Sequence, residues 1–263
     1  MNIRLDGKTA LITGASRGLG FAMARTFAEA GAKVALLARG QEGIDAALAE
    51  IGTVNGEANN MIKGYACDVT SASAIEETYR AVEGDLGPID VLVNNAGSSA
   101  RGPFPEITDE MWQADFDLKV FAAIRLSRLA FPGMAARKSG RIINVLNVGA
   151  KAPAAEGAPT AVSRAAGLAL TKVLACEGAP HNVLVNSLHV GKIESDQWVR
   201  RRDAETPDMP LEAFFAKEGE KLPMKRMGTA QEFANVALFL ASDAASYVAG
   251  TAINVDGGLS PVT

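Results

Sequence analysis

The chain contains the stretch Thr13-Gly14-Ala15-Ser16-Arg17-Gly18-Leu19-Gly20, which begins at the last residue of the apolar run 9–13. The run is typical of a short buried β-strand, and residues 21–30 have the pattern of a helix that ends at Gly31. Glycines between a strand and a helix let the backbone turn tightly and approach a phosphate, while the helix N-terminus offers unpaired N–H groups. The stretch therefore predicts a strand–turn–helix unit that binds a pyrophosphate.

The same alternation of apolar runs and helical patterns continues along the chain. Continuous apolar strands separated by helices indicate a parallel sheet covered on both faces. We therefore predict an α/β Rossmann fold, with a doubly wound parallel sheet flanked by helices on both faces, as a single domain over residues 1–263. Strands are expected at 9–13, 33–38, 61–68, 90–94, 140–147, 182–189 and 251–255, and helices at 21–30, 41–51, 72–84, 109–137, 160–178 and 231–241.

Two segments of this pattern are less regular than the others. Residues 109–137 predict one long helix or two short ones, interrupted near Pro132 and Gly133. Residues 195–221 are polar and lie between a strand and the closing elements. Because long segments at that place tend to cover binding sites, we expect a substrate lid of helices there.

Composition excludes several classes of function. The chain has 263 residues, of which 48% are hydrophobic, so it can bury one large core. Its net charge of -4 argues against a nucleic-acid binder. Its two cysteines, Cys67 and Cys176, give no zinc spacing and no disulfide framework, so no metal is expected. Residues 1–6 lack an apolar signal core, and no apolar run is long enough for a bilayer. We expect a cytoplasmic protein without a membrane partner.

Two arginines indicate which dinucleotide is bound. Arg39 ends the second predicted strand, where the adenosine ribose of a bound dinucleotide should lie, and Arg17 is part of the glycine-rich turn. A NAD-specific site often places an acid at the first position, whereas guanidinium groups suit a 2′-phosphate. The sequence therefore favours NADP(H), with NAD(H) as the alternative and a solvated strand end as the other interpretation of Arg39.

Further segments extend the nucleotide-binding pattern. They are Asp68-Val69, Asn94-Asn95-Ala96-Gly97, the stretch 186–195 and Asn254-Val255-Asp256-Gly257-Gly258. With the glycine-rich turn, these segments resemble the short-chain dehydrogenase/reductase family over essentially the whole chain. The resemblance implies an oxidoreductase that acts on a small carbonyl or alcohol substrate and assembles as a homo-oligomer, a dimer or, as we expect, a tetramer.

The resemblance also implies cofactor-binding residues. The pyrophosphate would meet the turn, the adenine would meet two residues after the third strand, and the adenosine ribose would meet three residues after the fourth. The nicotinamide carboxamide would bind the backbone after the sixth strand, and the nicotinamide ribose would bind an arginine. These residues are Gly14, Ser16, Arg17, Gly18, Leu19 and Gly20; Asp68 and Val69; Asn95, Ala96 and Gly97; Gly191 and Ile193; and Arg164.

The family's catalytic tetrad of Asn, Ser, Tyr and Lys is replaced at all four positions. Carried over by position, the four residues are Lys119, Asn147, Thr160 and Arg164. In the family the tyrosine moves the proton, yet a threonine hydroxyl is much less acidic than tyrosine, whose pKa is about 10. Arginine, with a pKa above about 12, cannot carry a proton. The resemblance therefore implies a non-standard catalytic site that keeps its cofactor contacts.

Several groups can replace the tyrosine. Lys119 is the first candidate for a general acid or an oxyanion holder, since its pKa falls when it is desolvated or lies beside Arg164. The alternative is a lysine bound to a carboxylate such as Glu156, and Glu156 is itself a candidate base. His189 has a suitable pKa of about 6.5, unless it is a packed or surface histidine. Asn147 can donate to an oxyanion through its amide.

Five cations fall in segments that border the substrate side in the family. If several converge, they favour an anionic substrate; otherwise they are solvated surface charges. They are Arg101, Lys119, Lys151, Arg164 and Lys192.

Three functions are compatible with these patterns. The first is an NADP(H)-dependent oxidoreductase of an unidentified carbonyl or alcohol substrate, with a rebuilt acid/base group. The second is a non-redox lyase or isomerase on the same scaffold, in which Lys119 and Asn147 stabilise an enolate. The third is a catalytically inactive dinucleotide-binding or regulatory protein. Spectral turnover of NADPH separates the first from the other two.

Overall fold

A seven-stranded parallel sheet forms the centre of the computed structural model, which describes residues 3–52 and 61–263. Within these ranges the spatial order of the strands is β3-β2-β1-β4-β5-β6-β7. The order reverses between β1 and β4, which creates a crevice at the carboxyl ends of these strands. The strands are β1 Thr9–Thr13, β2 Lys33–Ala38, β3 Ile62–Ala66, β4 Val91–Asn94, β5 Gly140–Asn147, β6 Val183–Val190 and β7 Ala252–Val255.

Helices cover both faces of this sheet, so the predicted single-domain Rossmann arrangement is confirmed. The helices are α1 Gly18–Glu29, α2 Gln41–Ile51, α3 Ala72–Leu86, α4 Asp109–Phe116, α5 Ala122–Ala136, α6 Thr160–Gly178, α7 Asp196–Glu205, α8 Leu211–Gly219 and α9 Ala230–Ala241. Among the described residues, no helix combines the length and the apolar composition that a bilayer span requires.

The alternation of side chains along each strand divides the core into two layers. On β1, Ala10 and Ile12 face a layer that includes Phe27 of α1 and Phe233 of α9. Leu11 faces the opposite layer, with side chains from α3 and α5. Because successive residues of a strand point to opposite faces, a strand buried on both sides reads as a continuous apolar run. This is why the short apolar runs predicted the strands.

The predicted interruption near Pro132 and Gly133 is wrong. Pro132 lies inside α5, next to exposed Gly133, and α5 continues to Ala136. A proline removes one backbone donor, and here the carbonyl four residues earlier belongs to exposed Arg128, so water can satisfy it. The irregularity lies earlier, where a π-helical turn at Asp117–Phe121 joins α4 to α5. Such turns are frequent at functional sites, and this one carries Lys119.

Several predicted boundaries also shift by one to three residues. The first helix begins at Gly18 rather than residue 21, so the helix N-terminus lies inside the glycine-rich turn. The strand β4 begins after Asp90, whose carboxylate accepts a hydrogen bond from the backbone N–H of Thr9 at 3.0 Å. The strand β6 begins after Asn182, because that residue has a left-handed backbone (φ 54°) that cannot pair in a sheet.

The lid segment 195–221 contains the two helices α7 and α8, in agreement with its predicted helical character. Trp198 of α7 packs against Phe214 of α8, with ring centroids 6.4 Å apart. Glu218 of α8 accepts hydrogen bonds from Lys192, at 2.9 Å, and from Lys221. Lys192 lies directly after β6, so this ion-pair group ties the lid to the carboxyl edge of the sheet.

Candidate active site

The carboxyl ends of β1, β4, β5 and β6 bring most of the predicted site residues to one edge of the sheet. The glycine-rich turn follows β1, Asn95 follows β4, Asn147 ends β5 and Gly191 follows β6. Ligands of open α/β sheets bind at this edge, close to the point where the strand order reverses. The parallel topology therefore assembles residues that are far apart in sequence.

The glycine-rich turn has the geometry of a phosphate cradle. Gly14 and Gly18 have positive φ angles of 64° and 57°, which favour glycine. A Cβ atom on Gly20 would overlap the carbonyl oxygen of Gly14, so only glycine allows α1 to start here. In the described chain no side chain caps the first turn of α1. Its backbone N–H groups are thus available to an anion.

Asn95 and Thr13 hold the glycine-rich turn against the strand next to it. The Asn95 side-chain amide donates to the carbonyl oxygens of Thr13, at 2.9 Å, and Gly14, at 3.1 Å. In return, the Thr13 hydroxyl accepts from the backbone N–H groups of Asn95 and Ala96, both at 2.9 Å. This network fixes the turn before any ligand is bound.

The two arginines predicted to select the dinucleotide lie at the edge of this cradle. Arg17 is exposed and forms an ion pair of 3.5 Å with Asp196 at the start of the lid. Arg39 follows β2 and acts electrostatically on Asp68, where it helps to lower the carboxyl pKa after the larger contribution of hydrogen bonds from Thr70. An exposed ion pair such as Arg17–Asp196 contributes little stability, so a phosphate can displace the carboxylate.

Lys119 lies in a buried polar cluster between the π-helical turn and α6. Its ammonium group donates to Asp115 and to the hydroxyl of Thr160, the latter at 2.8 Å. The side chains of Lys119 and Asp115 are only 1% and 3% exposed. The lysine is therefore bound to a carboxylate, as the alternative interpretation expected, but the partner is Asp115 rather than Glu156. Glu156 is exposed in the loop before α6.

The environment of Lys119 lowers its pKa to about 8, well below the ordinary value of 10.5. Burial is the largest cause, followed by repulsion from the positive charge of Arg164, while Asp115 opposes the shift. A lysine with this pKa exchanges its proton near neutral pH, which is what acid/base chemistry requires.

Thr160 has its hydrogen-bonding capacity filled by the protein. Its hydroxyl accepts from Lys119 and from the backbone N–H of Ala100, at 2.9 Å, and donates to Asp115 over a longer 3.3 Å. A hydroxyl has one donor and two acceptor sites, so all three are in use. The long bond to Asp115 is the weakest of the three, and a substrate oxygen can compete for that proton.

Asp115 and Ser163 belong to the cluster, although the sequence did not single them out. The Ser163 hydroxyl donates to the second carboxylate oxygen of Asp115 at 2.5 Å. Asp115 precedes Lys119 by four residues, a spacing that places two side chains on one face of a helix. That spacing was the available signal, whereas the contact with Ser163 spans 48 residues and depends on the packing of α4 against α6.

Arg164 and Asn147 line the same region with atoms that lack partners. One terminal nitrogen of Arg164, Nη1, donates to the carbonyl oxygen of Val145 at 2.7 Å, while its buried Nε has no acceptor in the described chain. The Asn147 side-chain oxygen is also buried without a donor. Buried polar atoms without partners are costly, so these two atoms leave hydrogen-bonding capacity open beside the cluster.

His189 is a packed histidine and not an accessible acid. It is fully buried in β6, where Nδ1 lies 3.0 Å from the carbonyl oxygen of Asn147 and Nε2 lies 3.0 Å from the hydroxyl of Ser187. Burial is the main cause that lowers its pKa to about 4, so the imidazole is neutral at pH 7. Its contact with the backbone of Asn147 gives it a structural role at the edge of the site.

Most of the five cations expected near the substrate have partners elsewhere. Lys151 donates to the carbonyl oxygen of Ala252, at 2.6 Å, and to the Asn254 side chain, at 2.7 Å. Lys192 is bound to Glu218 of the lid and Lys119 to Asp115. Arg101 is exposed and pairs through its backbone with Pro159. Lys119 and Arg164 lie close enough to interact electrostatically, whereas Lys151 and Lys192 are bound to other groups and no described side chain binds the exposed side chain of Arg101.

Comparison with known proteins identifies the family. The family model described as enoyl-(acyl carrier protein) reductase matches residues 14–260. The 3-oxoacyl-acyl-carrier-protein reductase FabG of Vibrio cholerae is 35% identical, over 98% of this chain and 99% of its own. The chain belongs to the short-chain dehydrogenase/reductase family.

Solved structures of this family resemble the chain over its full length. L-sorbose reductase from Gluconobacter frateurii, solved with NADPH and L-sorbose, has a TM-score of 0.93 and 33% identity, covering 100% of both chains. A short-chain oxidoreductase from Pseudomonas aeruginosa, described as containing an atypical catalytic center, has a TM-score of 0.91 and 34% identity, covering 99% of this chain and 100% of its own.

The backbone after β6 of this short-chain dehydrogenase/reductase is tightly held. The N–H of Gly191 donates to the carbonyl oxygen of Val255 at 3.1 Å, and a Cβ atom on Gly191 would press against Asp256. Ile193 is buried and pairs with Gly228 in an isolated parallel bridge. Backbone groups at this position are therefore rigid. Among the described residues, no cluster of three or more His, Cys, Asp or Glu side chains can hold a metal ion.

Proposed function

We propose that the chain is an NADP(H)-dependent oxidoreductase of a carbonyl or alcohol substrate, with a catalytic site that departs from the family pattern. In this proposal Lys119, Asn147, Thr160 and Arg164 stand where the family has its Asn-Ser-Tyr-Lys tetrad. The observation that carries the proposal is the hydrogen bond of 2.8 Å from Lys119 to Thr160, in a cluster where the lysine pKa falls to about 8. The Pseudomonas relative with an atypical catalytic center supports such a departure within the family.

The residues present fit a dinucleotide. The uncapped start of α1 and the glycine backbone suit a pyrophosphate, and Arg17 and Arg39 suit the 2′-phosphate of NADP(H). When bound, the cofactor supplies or accepts the hydride. The contacts are proposed at Gly14, Ser16, Arg17, Gly18, Leu19 and Gly20 for the pyrophosphate, Arg39, Asp68 and Val69 for the adenosine phosphate and adenine, Asn95, Ala96 and Gly97 for its ribose, and Arg164, Gly191 and Ile193 for the nicotinamide nucleoside.

The proton would pass from Lys119 through Thr160. In the direction of reduction, the developing alkoxide takes the hydroxyl proton of Thr160 while the Thr160 oxygen takes a proton from the ammonium group of Lys119. The products are a neutral alcohol, an intact threonine hydroxyl and a neutral lysine that regains its proton from solvent. Threonine itself never has to ionise, because its proton is replaced as it leaves. This relay avoids the need for an acidic hydroxyl such as that of tyrosine.

The other polar groups of the site would stabilise the negative charge that develops on the substrate oxygen, or would hold Lys119 in its protonated form. In this proposal the Asn147 amide donates to the developing oxyanion, and preorganised donors of this kind stabilise the transition state. Asp115 keeps Lys119 in place and opposes the loss of its proton. The role of residues 195–221 as a substrate lid is part of the same proposal and rests on the length and place of that segment. The homotetramer is also part of the proposal and rests on resemblance to the family.

The experiment is NADPH oxidation, followed at 340 nm, with a panel of aldehydes and ketones. We expect turnover by the wild-type chain and a loss of roughly 10²-fold or more in Lys119→Met, since a positioned acid contributes about that much. The matched control is Lys63→Met. Lys63 lies on the remote strand β3 and forms an ion pair with Asp85 of α3. Retained turnover in Lys119→Met would remove the lysine from the mechanism.

The enclosure of the cluster favours a second candidate, a dinucleotide-binding protein without turnover. Lys119 is 1% exposed and Thr160 is buried, so the cluster also suits a purely structural ion pair. Calorimetric binding of NADPH, together with no oxidation of NADPH by any carbonyl of the panel, would favour this candidate over the oxidoreductase.

A further inference from the structure

Ser163 is a buried hydroxyl to which the proposed reaction gives no task. It belongs to α6 and is only 1% exposed. Its oxygen lies 2.5 Å from one carboxylate oxygen of Asp115 and 3.1 Å from the carbonyl oxygen of Thr160. A hydroxyl has a single proton, and the shorter contact to a charged acceptor is the stronger of the two. Ser163 therefore donates to Asp115.

Asp115 is shared between a charged donor and a neutral one. One of its carboxylate oxygens binds the ammonium group of Lys119, and the other binds Ser163. The Asp115 side chain is 3% exposed, so solvent does not take the place of either donor. The Thr160 hydroxyl adds a longer contact of 3.3 Å on the oxygen that Lys119 binds. Ser163 is thus the closest other donor to the carboxylate when Lys119 carries no charge.

The charge on Lys119 depends on a balance of three influences. Burial favours the neutral amine most strongly, and the positive charge of Arg164 from α6 adds to that effect, so the pKa falls to about 8. Asp115 from α4 opposes both influences. The loop after β4 approaches the aliphatic stem of the lysine through Gly97, which has no side chain. A group that changes how strongly Asp115 binds the ammonium group therefore shifts this balance.

We propose that Ser163 is a positioning residue that weakens the hold of Asp115 on Lys119 and thereby eases the release of the lysine proton. This inference rests on the proposed oxidoreductase function, in which Lys119 supplies the proton, and assigns the tuning of that site. A carboxylate that accepts a second strong hydrogen bond is a weaker partner for an ammonium group, because its own charge is already stabilised. The hydroxyl of Ser163 competes in this way for Asp115.

The direction of the effect follows from the two protonation states of the lysine. When Lys119 is protonated, its ammonium group stabilises the Asp115 anion, and Ser163 is a second donor. When Lys119 is neutral, the buried carboxylate loses that charge and depends more on Ser163. Ser163 therefore stabilises the neutral form of the lysine more than the charged form. Removing its hydroxyl should raise the pKa of Lys119, whereas removing the charge of Asp115 should lower it.

The test locates the pH above which kcat/KM for NADPH-dependent reduction falls, between pH 6 and 10, with the best carbonyl of the panel. Ser163→Ala should move this pH upward by about half to one pH unit, a part of what a hydrogen bond to a charged group contributes. Asp115→Asn should move it downward, because burial and Arg164 are then unopposed. Ser163→Thr, which retains a hydroxyl, should stay close to the wild type. The matched control is Ser127→Ala, which removes a buried hydroxyl of α5 outside the cluster and should leave the pH unchanged.

Two results would overturn the inference. One is a pH limit in Ser163→Ala that stays at the wild-type value or moves downward. The other is a loss of rate that is equal at every pH, which would leave Ser163 with a packing role alone. Thermal midpoints show whether the variants are folded. If Ser163→Ala is not, Ser163→Cys offers a weaker donor of similar size, and the same upward shift is required of it.

Titration of Lys119 by NMR separates this inference from the proposed function. The chain is labelled with ¹³C at the lysine Cε atoms, and the Lys119 signal is the one that is absent from Lys119→Met. If no carbonyl is reduced but this signal titrates at higher pH in Ser163→Ala and at lower pH in Asp115→Asn, the oxidoreductase fails and the role of Ser163 stands. If Ser163→Ala leaves the titration of Lys119 in place, the inference is overturned whether or not turnover occurs.

Discussion

Lys119 and its neighbours define what the site can do at the scale of single residues. The ammonium group is enclosed with one carboxylate and one hydroxyl, and burial together with Arg164 lowers its pKa to about 8. In the proposed reduction the protonated lysine is the active form. Its pKa therefore sets the upper pH limit of the reaction.

The first prediction concerns this limit. For reduction, kcat/KM should be constant below about pH 8 and should fall about tenfold per pH unit above it, as Lys119 loses its proton. Lys119→Arg, which keeps the charge but cannot lose it, should remove the limb at pH 8 and lower the rate. The measurement is the pH profile of both proteins between pH 6 and 10. A wild-type profile that stays flat to pH 10 would contradict the role of Lys119.

The second prediction concerns the stability contribution of His189. Its pKa is about 4 in the folded chain and 6.5 in the unfolded chain, so protons bind preferentially to the unfolded state between these values. The folded state should lose on the order of 3 kcal/mol from this group as the pH falls from 6.5 to 4. Urea unfolding of the wild type and of His189→Gln at pH 7 and pH 4.5 measures the difference. Equal acid sensitivity of the two proteins would show that the histidine does not titrate as described.

Sequence reasoning reached the residues of the site but not their partners. The resemblance to the family, carried over position by position, identified Lys119, Asn147, Thr160 and Arg164 as a group, and the structure brings them to one region. The bond from Lys119 to Thr160 joins residues 41 positions apart, so it depends on how the π-helical turn packs against α6. No local pattern contains that information. Only Asp115, one helical turn from Lys119, was within reach of a spacing argument.

At the scale of elements, the segment 195–221, which we propose as the lid, is held by a small ion-pair group. Glu218 of α8 is bound by Lys192 and Lys221, and although burial would raise its pKa, these two lysines lower it to about 2. Trp198 lies against Lys192 and Arg201, at 5.3 and 5.2 Å from the ring centroid, and also packs on Phe214. The two lid helices are thereby fastened to the loop after β6.

The third prediction tests this attachment. Glu218→Gln removes the charge that both lysines bind, so the lid should open more often and expose its arginines and lysines to trypsin. We expect cleavage within residues 195–221 to be roughly 3- to 10-fold faster than in the wild type, because proteolysis follows the open population. Glu212→Gln on the same helix is the control, since Glu212 is exposed and forms no ion pair in the described chain. Equal cleavage of Glu218→Gln and the control would show that the pair does not hold the lid.

At the scale of the whole molecule, the fold was predictable and part of its geometry was not. Continuous apolar runs separated by helices predicted the parallel sheet, because strands buried on both faces show no alternation. The predicted break at Pro132 failed, since a proline on an exposed turn costs a hydrogen bond that water replaces. The π-helical turn that replaces the break has no sequence signature. It nevertheless places Lys119 in the cluster with Asp115 and Thr160.

The proposed reaction depends on an intact dinucleotide end of the molecule. The glycine-rich turn is held by Asn95 and Thr13, α1 presents an uncapped N-terminus, and Arg17 and Arg39 flank the cradle. In the proposed function each feature serves a phosphorylated adenosine dinucleotide, and none depends on the altered catalytic positions. Binding of the cofactor can therefore be tested before any substrate is known.

The most direct test is calorimetric titration of the chain with NADPH, with NADH as the comparator. We expect NADPH to bind at least about 10-fold more tightly than NADH, since a charge-assisted contact to the 2′-phosphate is worth about 1.5–3 kcal/mol. Arg39→Ala should reduce this preference without abolishing the binding of either dinucleotide. Binding of neither dinucleotide by the wild-type chain would contradict the account, because the proposed reaction has no hydride source without NADPH.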